Sequence, residues 1–417
     1  MTRSEEVSRR MADEGASHTP TDKSGQLLAA VHEAYLRWFG EGYDLGALNC
    51  VLCAAAAEWL GGDPPWLLVV GGSGAAKTET LMPLEGAGAL IESTISGEAA
   101  LISGTSRSER AKNANGGLLR RLGSSGTLVL KDFTSILSMN RDTRALVLAA
   151  LREIYDGRWS RNLGTDGGQT LTWKGRIVLI GAVTTAWDSA HQVIATMGDR
   201  FVLVRLNSGQ HRQSAGRQAM RNVNSEVAMR AELSKLVGEL LKVDHDADAE
   251  IDLLGPELDT LLSLADLVTR ARTAVERDFQ GDPVFAHALE MPTRYAKQLV
   301  QLVRGGLVLG MTREDAMSAA KRCGGDSMPP LRIDVLGDVA AHPWSRTADV
   351  VKRLQLPRKT VDRTLQELHL LGLLVVREEP YGQSVRWVYT LADDVSTDVL
   401  REARKLARNV TTPTEKP

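Results

Sequence analysis

Residues 71–78 have the side-chain types and the spacing that phosphate binding requires. The segment begins with small residues, which are Gly71, Gly72, Ser73, Gly74, Ala75 and Ala76. Small side chains leave the backbone amides free to wrap an anion. Lys77 and Thr78 then complete the pattern G-x-x-x-x-G-K-[ST], with Ala76 at the second glycine. The pattern predicts that Lys77 bridges the β- and γ-phosphates of ATP and that the Thr78 hydroxyl binds Mg²⁺.

Ala76 is the one departure from this pattern, and we expect it to be tolerated if its backbone has helical φ and ψ angles. The alternative is a glycine-rich turn followed by a chance Lys-Thr pair. The apolar segment before the loop predicts a strand, and the segment after it predicts a helix. These flanks favour the phosphate-binding interpretation.

A second nucleotide motif follows in the segment TLVLKDF, in which an apolar run leads to Lys131 and Asp132. An apolar run that ends in an aspartate is a weak signal alone, but its place after the loop strengthens it. We expect Asp132 to hold the Mg²⁺ through water.

The elements that must position these residues follow Pro64 and Pro65, where short apolar runs alternate with helical stretches. This alternation predicts a parallel sheet with crossover helices. The strand candidates are Trp66–Val70, Ala89–Ile91, Thr127–Leu130, Arg176–Ile180 and Phe201–Arg205. We also expect a long helix over Arg141–Tyr155 and a β-hairpin over Arg158–Lys174, with its turn at residues 166–168.

The chain has 417 residues, a length typical of two or three domains. We divide it into a disordered tail (1–25), a helical leader (26–63), an α/β core (64–206), a helical lid region (207–326), a winged helix (327–395) and a basic tail (396–417). The segment from about 218 to 323 is expected to be all helical.

Residues 65–310 resemble AAA+ ATPases of the helicase and helicase-loader branches. The resemblance implies an α/β P-loop NTPase core with an AAA+-like parallel sheet and a helical lid. In RIVLIGAVTTAWD it places Thr184 or Thr185 at sensor 1. In MGDRFVLVRL it implies an arginine finger, Arg200 first and Arg205 second, which acts on a neighbouring subunit in a ring or filament. In EMPTRYAKQLVQLVRG it implies a sensor-2 arginine, Arg294.

The chain departs from AAA+ proteins at Phe133, where their Walker-B motif carries a catalytic glutamate after the aspartate. Glu92 or Glu153 could supply the base, sensor 1 alone could position the water, or hydrolysis could be slow.

The run KDFTSIL…REIYDG…GDRFVLVRL also resembles an uncharacterised group of bacterial and phage-like ATP-binding proteins, a resemblance that fixes no activity. In the helicase-like branches a hairpin at residues 158–174 projects toward DNA, so that Arg158, Arg161 and Lys174 could contact phosphates; a purely structural hairpin is the alternative.

The C-terminal segment predicts a winged helix-turn-helix. We expect helices over Leu331–Ala340, Arg346–Leu354 (with Ser345 as N-cap) and Arg358–Leu371, then a stop at Gly372 and a two-stranded wing. The third helix is the recognition-helix candidate, and the residues predicted to contact DNA on its outer face and the wing are Arg358, Lys359, Thr360, Arg363, Gln366 and Arg386. Winged helices also bind proteins, and that alternative stays open.

The formal net charge of −2 shows no global excess of positive charge, so any DNA contact must come from a local basic patch. The N-terminus lacks a signal peptide and no apolar run is long enough to span a bilayer, so we expect a cytoplasmic protein without membrane contact. Cys50 and Cys53 form a CxxC in an apolar run, which favours buried helix cysteines over a metal or redox site.

These observations support three hypotheses. The first is a DNA-associated, Mg-dependent AAA+-type ATPase in replication, mobile-element maintenance or helicase loading. The second is an ATP-gated winged-helix transcriptional regulator. The third is a signalling NTPase whose winged helix binds protein.

Overall fold

A computed structural model describes residues 22–103, 116–164, 169–190, 200–206, 212–243 and 251–407. The expectations for residues 1–21, 166–168, 207–211 and 408–417 lie outside these ranges. The first described helix already begins at Asp22, so the prediction of a disordered tail is wrong for residues 22–25.

The α/β core is built on a five-stranded sheet. In chain order the strands of this region are β1 (Trp66–Val70), β2 (Leu90–Glu92), β3 (Ser125–Leu130), β4 (Arg158–Leu163), β5 (Gln169–Lys174), β6 (Arg176–Val183) and β7 (Val202–Arg205). The sheet order is β2-β3-β6-β1-β7, with every neighbouring pair parallel. The five expected strands are confirmed, and their carboxyl ends share one edge of the sheet. The sheet fits an α/β NTPase fold.

Helices cover both faces of the sheet. They are α1 (Asp22–Phe39), α2 (Leu45–Ala56), α3 (Lys77–Leu81), α4 (Glu98–Leu101), α5 (Leu118–Leu122), α6 (Thr134–Leu137) and α7 (Arg141–Tyr155), with 3₁₀ turns at Ala57–Trp59 and Met82–Ala87. Along β1, Leu67 and Val69 face an apolar cluster with α1 and α2, while Trp66, Leu68 and Val70 face a second cluster with α7. The leader helices are therefore part of the core.

The predicted hairpin over residues 158–174 is confirmed, because β4 and β5 pair antiparallel. Trp159 and Trp173 bury its inner face in the second apolar cluster. Arg161 donates to Glu98 and to the carbonyl oxygen of Ile102, each at 3.2 Å. These bonds favour the structural alternative for Arg161, since its guanidinium ties the hairpin to the core.

The lid region contains α8 (Arg212–Asn222), α9 (Glu226–Leu241), α10 (Gly255–Arg272), α11 (Thr293–Val308) and α12 (Arg313–Ser327). The all-helical prediction is wrong, because β8 (Val275–Arg277) and β9 (Pro283–Ala286) pair antiparallel between α10 and α11. Their turn is set by Gly281 at φ +82° and by Asp278, whose Oδ1 accepts from the backbone N–H groups of Gln280 and Asp282.

The C-terminal part has the expected winged-helix pattern. Its elements are α13 (Pro330–Ala341), β10 (Ser345–Arg346), α14 (Thr347–Leu354), α15 (Arg358–Leu370), β11 (Leu374–Tyr381) and β12 (Ser384–Leu391). Gly372, at φ +67°, ends the third helix as predicted. The expected N-cap at Ser345 is wrong: Arg346 is the cap residue, and the Ser345 hydroxyl donates to the carbonyl oxygen of His342.

The last described helix, α16 (Thr397–Leu406), packs back on the lid. Leu400 and Ala403 are buried, and a Cβ on Gly325 of α12 would lie 2.3 Å from the carbonyl oxygen of Ala403. A free basic tail is therefore wrong for residues 397–406. One apolar cluster runs through the leader, one sheet face, the lid and the winged helix.

Cys50 and Cys53 are buried in a helix and form no disulfide, as favoured above. Among the described residues, no helix is long and apolar enough to cross a membrane.

Candidate functional site

The loop, Asp132 and Thr184 all lie at the carboxyl edge of the sheet. The backbone N–H of Gly71 donates to the carbonyl oxygen of Val183, the last residue of β6, at 3.1 Å. Asp132 follows β3, and Thr184 follows β6, the strand that lies between β1 and β3. The sheet order thus brings together three segments that are far apart in the chain.

Lys77 folds back over its own loop. Its Nζ donates to the carbonyl oxygens of Gly71 at 2.7 Å and Gly72 at 2.6 Å. Partial burial lowers the pKa of Lys77, and the charge of Asp132 acts in the opposite direction. Lys77 and Asp132 are therefore close enough to interact electrostatically across the strand between them.

The loop forms a tight cradle. A Cβ on Gly71 would lie 3.3 Å from Cβ of Ala75 and 3.4 Å from Cβ of Leu206, whereas a Cβ on Gly74 would meet open space. The side chains of Thr78 and Asp132 are exposed at the same edge. A cradle of backbone amides, a lysine and two oxygen donors fits a nucleotide phosphate and Mg²⁺.

Ala76 does not have the helical backbone that was expected. Its φ of 57° and ψ of 16° lie in the left-handed region. A residue with a Cβ is strained there by about 1–2 kcal/mol, whereas glycine is not. The backbone of this phosphate loop is thus the one a glycine would adopt, and the alanine carries the strain.

Thr184 is held in place by α6. Its backbone N–H donates to the hydroxyl oxygen of Thr134, which lies in this helix, at 3.0 Å. Thr185 is exposed. Both threonines therefore lie at the correct edge for a sensor, and Thr184 has the more fixed position.

Phe133 points away from this edge. Its backbone N–H donates to the carbonyl oxygen of Ala182 at 2.7 Å, and its ring is fully buried. The ring packs against those of Trp187 and Phe201, with centroid separations of 6.2 and 5.1 Å. The position that usually carries the base is therefore part of the hydrophobic core.

The two candidate replacements for the base lie at opposite edges. Glu92 ends β2 at the carboxyl edge and forms an ion pair with Arg121. Glu153 lies near the end of α7, close to Tyr155, whose ring packs on Trp66 at the amino end of β1. Glu153 as a base is therefore wrong, while Glu92 stays at the correct edge, with β3 and β6 between its strand and β1.

Arg205 is a structural residue. Its side chain is 2% exposed. The guanidinium donates to both carboxylate oxygens of Asp188, at 2.9 and 2.6 Å, and to the carbonyl oxygen of Asp326 at 2.7 Å. The interpretation of Arg205 as a second finger candidate is wrong, because a finger must reach a neighbouring subunit.

The sequence patterns did not reveal how the lid closes the sheet edge. The backbone N–H of Leu203 donates to Ser327 Oγ at 2.9 Å, and that of Arg205 to Asp326 Oδ2 at 2.8 Å. Two side chains at the end of α12 thus satisfy the outer N–H groups of the edge strand β7.

Arg200 lies at the amino edge, just before β7. It donates to Asp156 Oδ2 at 3.3 Å, and its guanidinium lies 5.8 Å from the Tyr155 ring. The length of β1, about 16 Å from Trp66 to Gly71, separates this edge from the loop. Arg200 therefore cannot reach the loop of its own chain.

Arg294 lies beside Arg200. It is in the first turn of α11 and pairs with Glu290 at 3.3 Å. One turn later, Gln298 donates to Tyr155 Oη at 2.8 Å and to the carbonyl oxygen of Arg200 at 2.9 Å. Arg294 as a sensor for its own site is therefore wrong, because α11 begins at the amino edge.

The residues predicted to contact DNA differ in accessibility. Arg358 and Lys359 are exposed at the start of α15, while Thr360 is half-buried. Arg363 donates from Nε to Asp282 Oδ1 at 2.7 Å, so a carboxylate covers its guanidinium in this structure. The other two have carboxylate partners: Gln366 donates to Asp362 at 3.0 Å, and Arg386 donates to Glu379 at 3.1 Å.

In comparisons with known proteins, no family model matches this chain. No curated protein matches it either. Among solved structures, it is similar to the Aeropyrum pernix Orc1 protein in complex with DNA, at 14% identity over 89% of this chain and 96% of the other, with a TM-score of 0.25. A TM-score this low carries no argument about fold or function.

Proposed function

We propose that the chain is an AAA+-type ATPase that binds ATP and Mg²⁺ at residues 71–78 and uses them to drive or gate its assembly on DNA. The observation that carries the proposal is the sheet order, which sets the loop after β1, Asp132 after β3 and Thr184 after the strand between them. P-loop ATPases need these three functions at one edge.

Each residue has a role that its position supports. Bound ATP supplies the transferable phosphoryl group, and Mg²⁺ neutralises its charge. Lys77 holds phosphate oxygens, Thr78 and Asp132 hold the metal, and Thr184 orients water. Arg200, at the far edge, serves the site of a neighbouring subunit in a ring or filament.

DNA association rests on the winged-helix pattern and on the exposed Arg358 and Lys359 at the start of α15. Positive side chains at the start of a recognition helix suit phosphates and base edges. Non-specific contacts of this kind weaken as salt increases.

The test is ATPase turnover with and without DNA. We expect Lys77→Ala to abolish turnover and ATP binding, while Lys297→Ala, which removes an exposed lysine paired with Asp63, leaves both unchanged. Activity that is insensitive to DNA would exclude a DNA-driven motor. Wild-type ATP affinity in Lys77→Ala would exclude the nucleotide site itself.

A second candidate, an ATP-gated regulator, is favoured by the burial of Phe133. Without a carboxylate base at that position, ATP binding can act as a slow switch. A regulator would bind one duplex sequence tightly, with an affinity that depends on ATP and with little stimulation of turnover.

A further inference from the structure

The outer face of α15 is partly covered by the chain itself. Val361, Leu365 and Leu368 are buried on its inner side, and the helical spacing of about 100° per residue places Arg363 on the opposite side. Yet the side chain of Arg363 is only 20% exposed. A residue in the centre of a DNA-facing surface is therefore covered before any DNA arrives.

The β8–β9 turn, residues 278–282, provides this cover. Asp282 Oδ1 accepts from Arg363 Nε at 2.7 Å, and the carbonyl oxygen of Gln280 accepts from Arg363 Nη2. The guanidinium also lies close to the turn backbone, because a Cβ on Gly281 would be 3.0 Å from Nη1 and 3.2 Å from Cζ. A carboxylate paired with an arginine occupies the donors that a DNA phosphate would use.

The turn has a defined shape of its own. Asp278 Oδ1 accepts from the backbone N–H groups of Gln280 at 2.9 Å and Asp282 at 2.8 Å, and the Gly281 N–H donates to the Asp278 carbonyl oxygen at 2.9 Å. The acceptors for Arg363 are thus arranged by bonds within the turn.

The strand that leads into the turn is anchored more firmly than the turn itself. Glu367 is buried and forms ion pairs with Arg277 and Arg332, and Arg332 also donates to carbonyl oxygens at the end of α10. Asp282 at the tip has a side chain that is 44% exposed. Exposed ion pairs are weak, so the turn can open while β8 and the end of α10 stay attached to α15 and α13.

We propose that this turn is an autoinhibitory contact, in which Asp282 takes the place of a DNA phosphate on Arg363 and must be displaced when duplex DNA binds. The inference rests on the proposed DNA binding by the winged helix. Arg358 and Lys359 are exposed beside the turn and make the first contacts, after which a phosphate replaces Asp282. The closed turn thereby lowers the apparent DNA affinity.

The test compares two variants that remove the same charge from the same hairpin. Asp282→Asn removes the negative charge that pairs with Arg363, whereas Glu276→Gln removes the charge of a carboxylate that binds His287. We measure the affinity for a fluorescent duplex at fixed salt with the full chain. We expect Asp282→Asn to bind about threefold to tenfold more tightly than Glu276→Gln, because without the charge of Asp282 the turn is held less strongly on Arg363. Arg363→Ala should bind more weakly than Asp282→Asn.

Gly281→Ala provides a second route, since a Cβ there both strains the backbone and displaces the guanidinium. Raised affinity in this variant supports the inference, with thermal unfolding as the check on folding. Equal affinities of Asp282→Asn and Glu276→Gln would overturn the autoinhibitory contact but leave DNA binding intact. The absence of salt-dependent DNA affinity in every variant would overturn the proposed DNA function as well.

Discussion

The ring of Phe133 packs edge-on against the ring of Phe201, with centroids 5.1 Å apart and planes at 73°. Phe133 directly follows Asp132, so the position expected to carry the catalytic base contributes to the core on one face of the sheet. Edge-on aromatic pairs of this kind stabilise beyond the area they bury.

We therefore expect Phe133→Glu to fail as a restored base. The change buries a carboxylate among aromatic rings and removes their packing, which lowers the free energy of unfolding by about 4 kcal/mol or more. Phe133→Leu is the control and should cost about 1–2 kcal/mol. Urea unfolding measures both. A Phe133→Glu protein with wild-type stability and faster ATP turnover would contradict this prediction.

Ala76→Gly should be nearly neutral for stability. Glycine relieves about 1 kcal/mol of left-handed strain, and its greater freedom in the unfolded chain costs about 0.5–1 kcal/mol. Ala75→Gly, in the same loop but without a positive φ, gains no such relief and should lose about 0.5–1 kcal/mol. The difference between the two urea midpoints is the measurement. An equal loss in both variants would show that Ala76 is not strained.

Arg205→Ala should act on stability. Its removal takes the guanidinium donors away from Asp188 and from the carbonyl oxygen of Asp326, at a cost of about 3–5 kcal/mol. Arg401→Ala, which removes an arginine whose side chain is 72% exposed, should change stability by less than about 0.5 kcal/mol. Chemical denaturation compares the two. If Arg205→Ala unfolds like wild type but loses only ATPase activity, Arg205 has a catalytic role after all.

Arg200 should act between subunits. Lys77→Ala and Arg200→Ala proteins are each expected to be inactive. A one-to-one mixture should recover about a quarter of the wild-type activity, because random assembly pairs an intact loop with an intact arginine at about that fraction of interfaces. ATPase assays of the mixture measure this. An inactive mixture from proteins that still assemble would exclude the role in trans.

The ion pair at the β8–β9 turn should be visible in a pH titration. The hydrogen bond from Arg363 lowers the pKa of Asp282 below its ordinary value. The stabilisation is therefore present above the ordinary aspartate pKa and is lost as the pH falls through the lowered one. In Arg363→Gln the pKa of Asp282 should rise toward the ordinary value. Carboxyl chemical shifts followed by NMR would show this, and an unchanged titration would mean that the pair does not form in solution.

Local sequence patterns were sufficient for most of the elements and for the position of the loop at residues 71–78. The apolar run of β1 matched its predicted bounds, as did the helix Arg141–Tyr155, because each has a strong hydrophobic pattern and clear end signals. The β8–β9 hairpin was missed because its strands are short and only weakly alternating within a helical region.

The roles of single polar residues were less predictable, because they depend on partners far away in the chain. Arg205, Arg294 and Arg363 all matched plausible positions in local motifs. In the structure, Arg205 binds the end of α12, Arg294 lies at the amino edge of the sheet, and Arg363 binds the β8–β9 turn. The local sequence around an arginine is the same whether its guanidinium faces solvent, a carboxylate or a neighbouring subunit.

The loop from Gly71 to Thr78 also shows which properties follow from the sequence and which from the tertiary structure. Its small residues, lysine and threonine were enough to predict the kind of site, because phosphate binding depends on a short contiguous segment. The left-handed backbone of Ala76 and the burial of Phe133 were decided by the tertiary structure. The backbone of Ala76 is left-handed because the loop closes onto α3. Phe133 is buried because it packs against aromatic residues that meet only when the strands align.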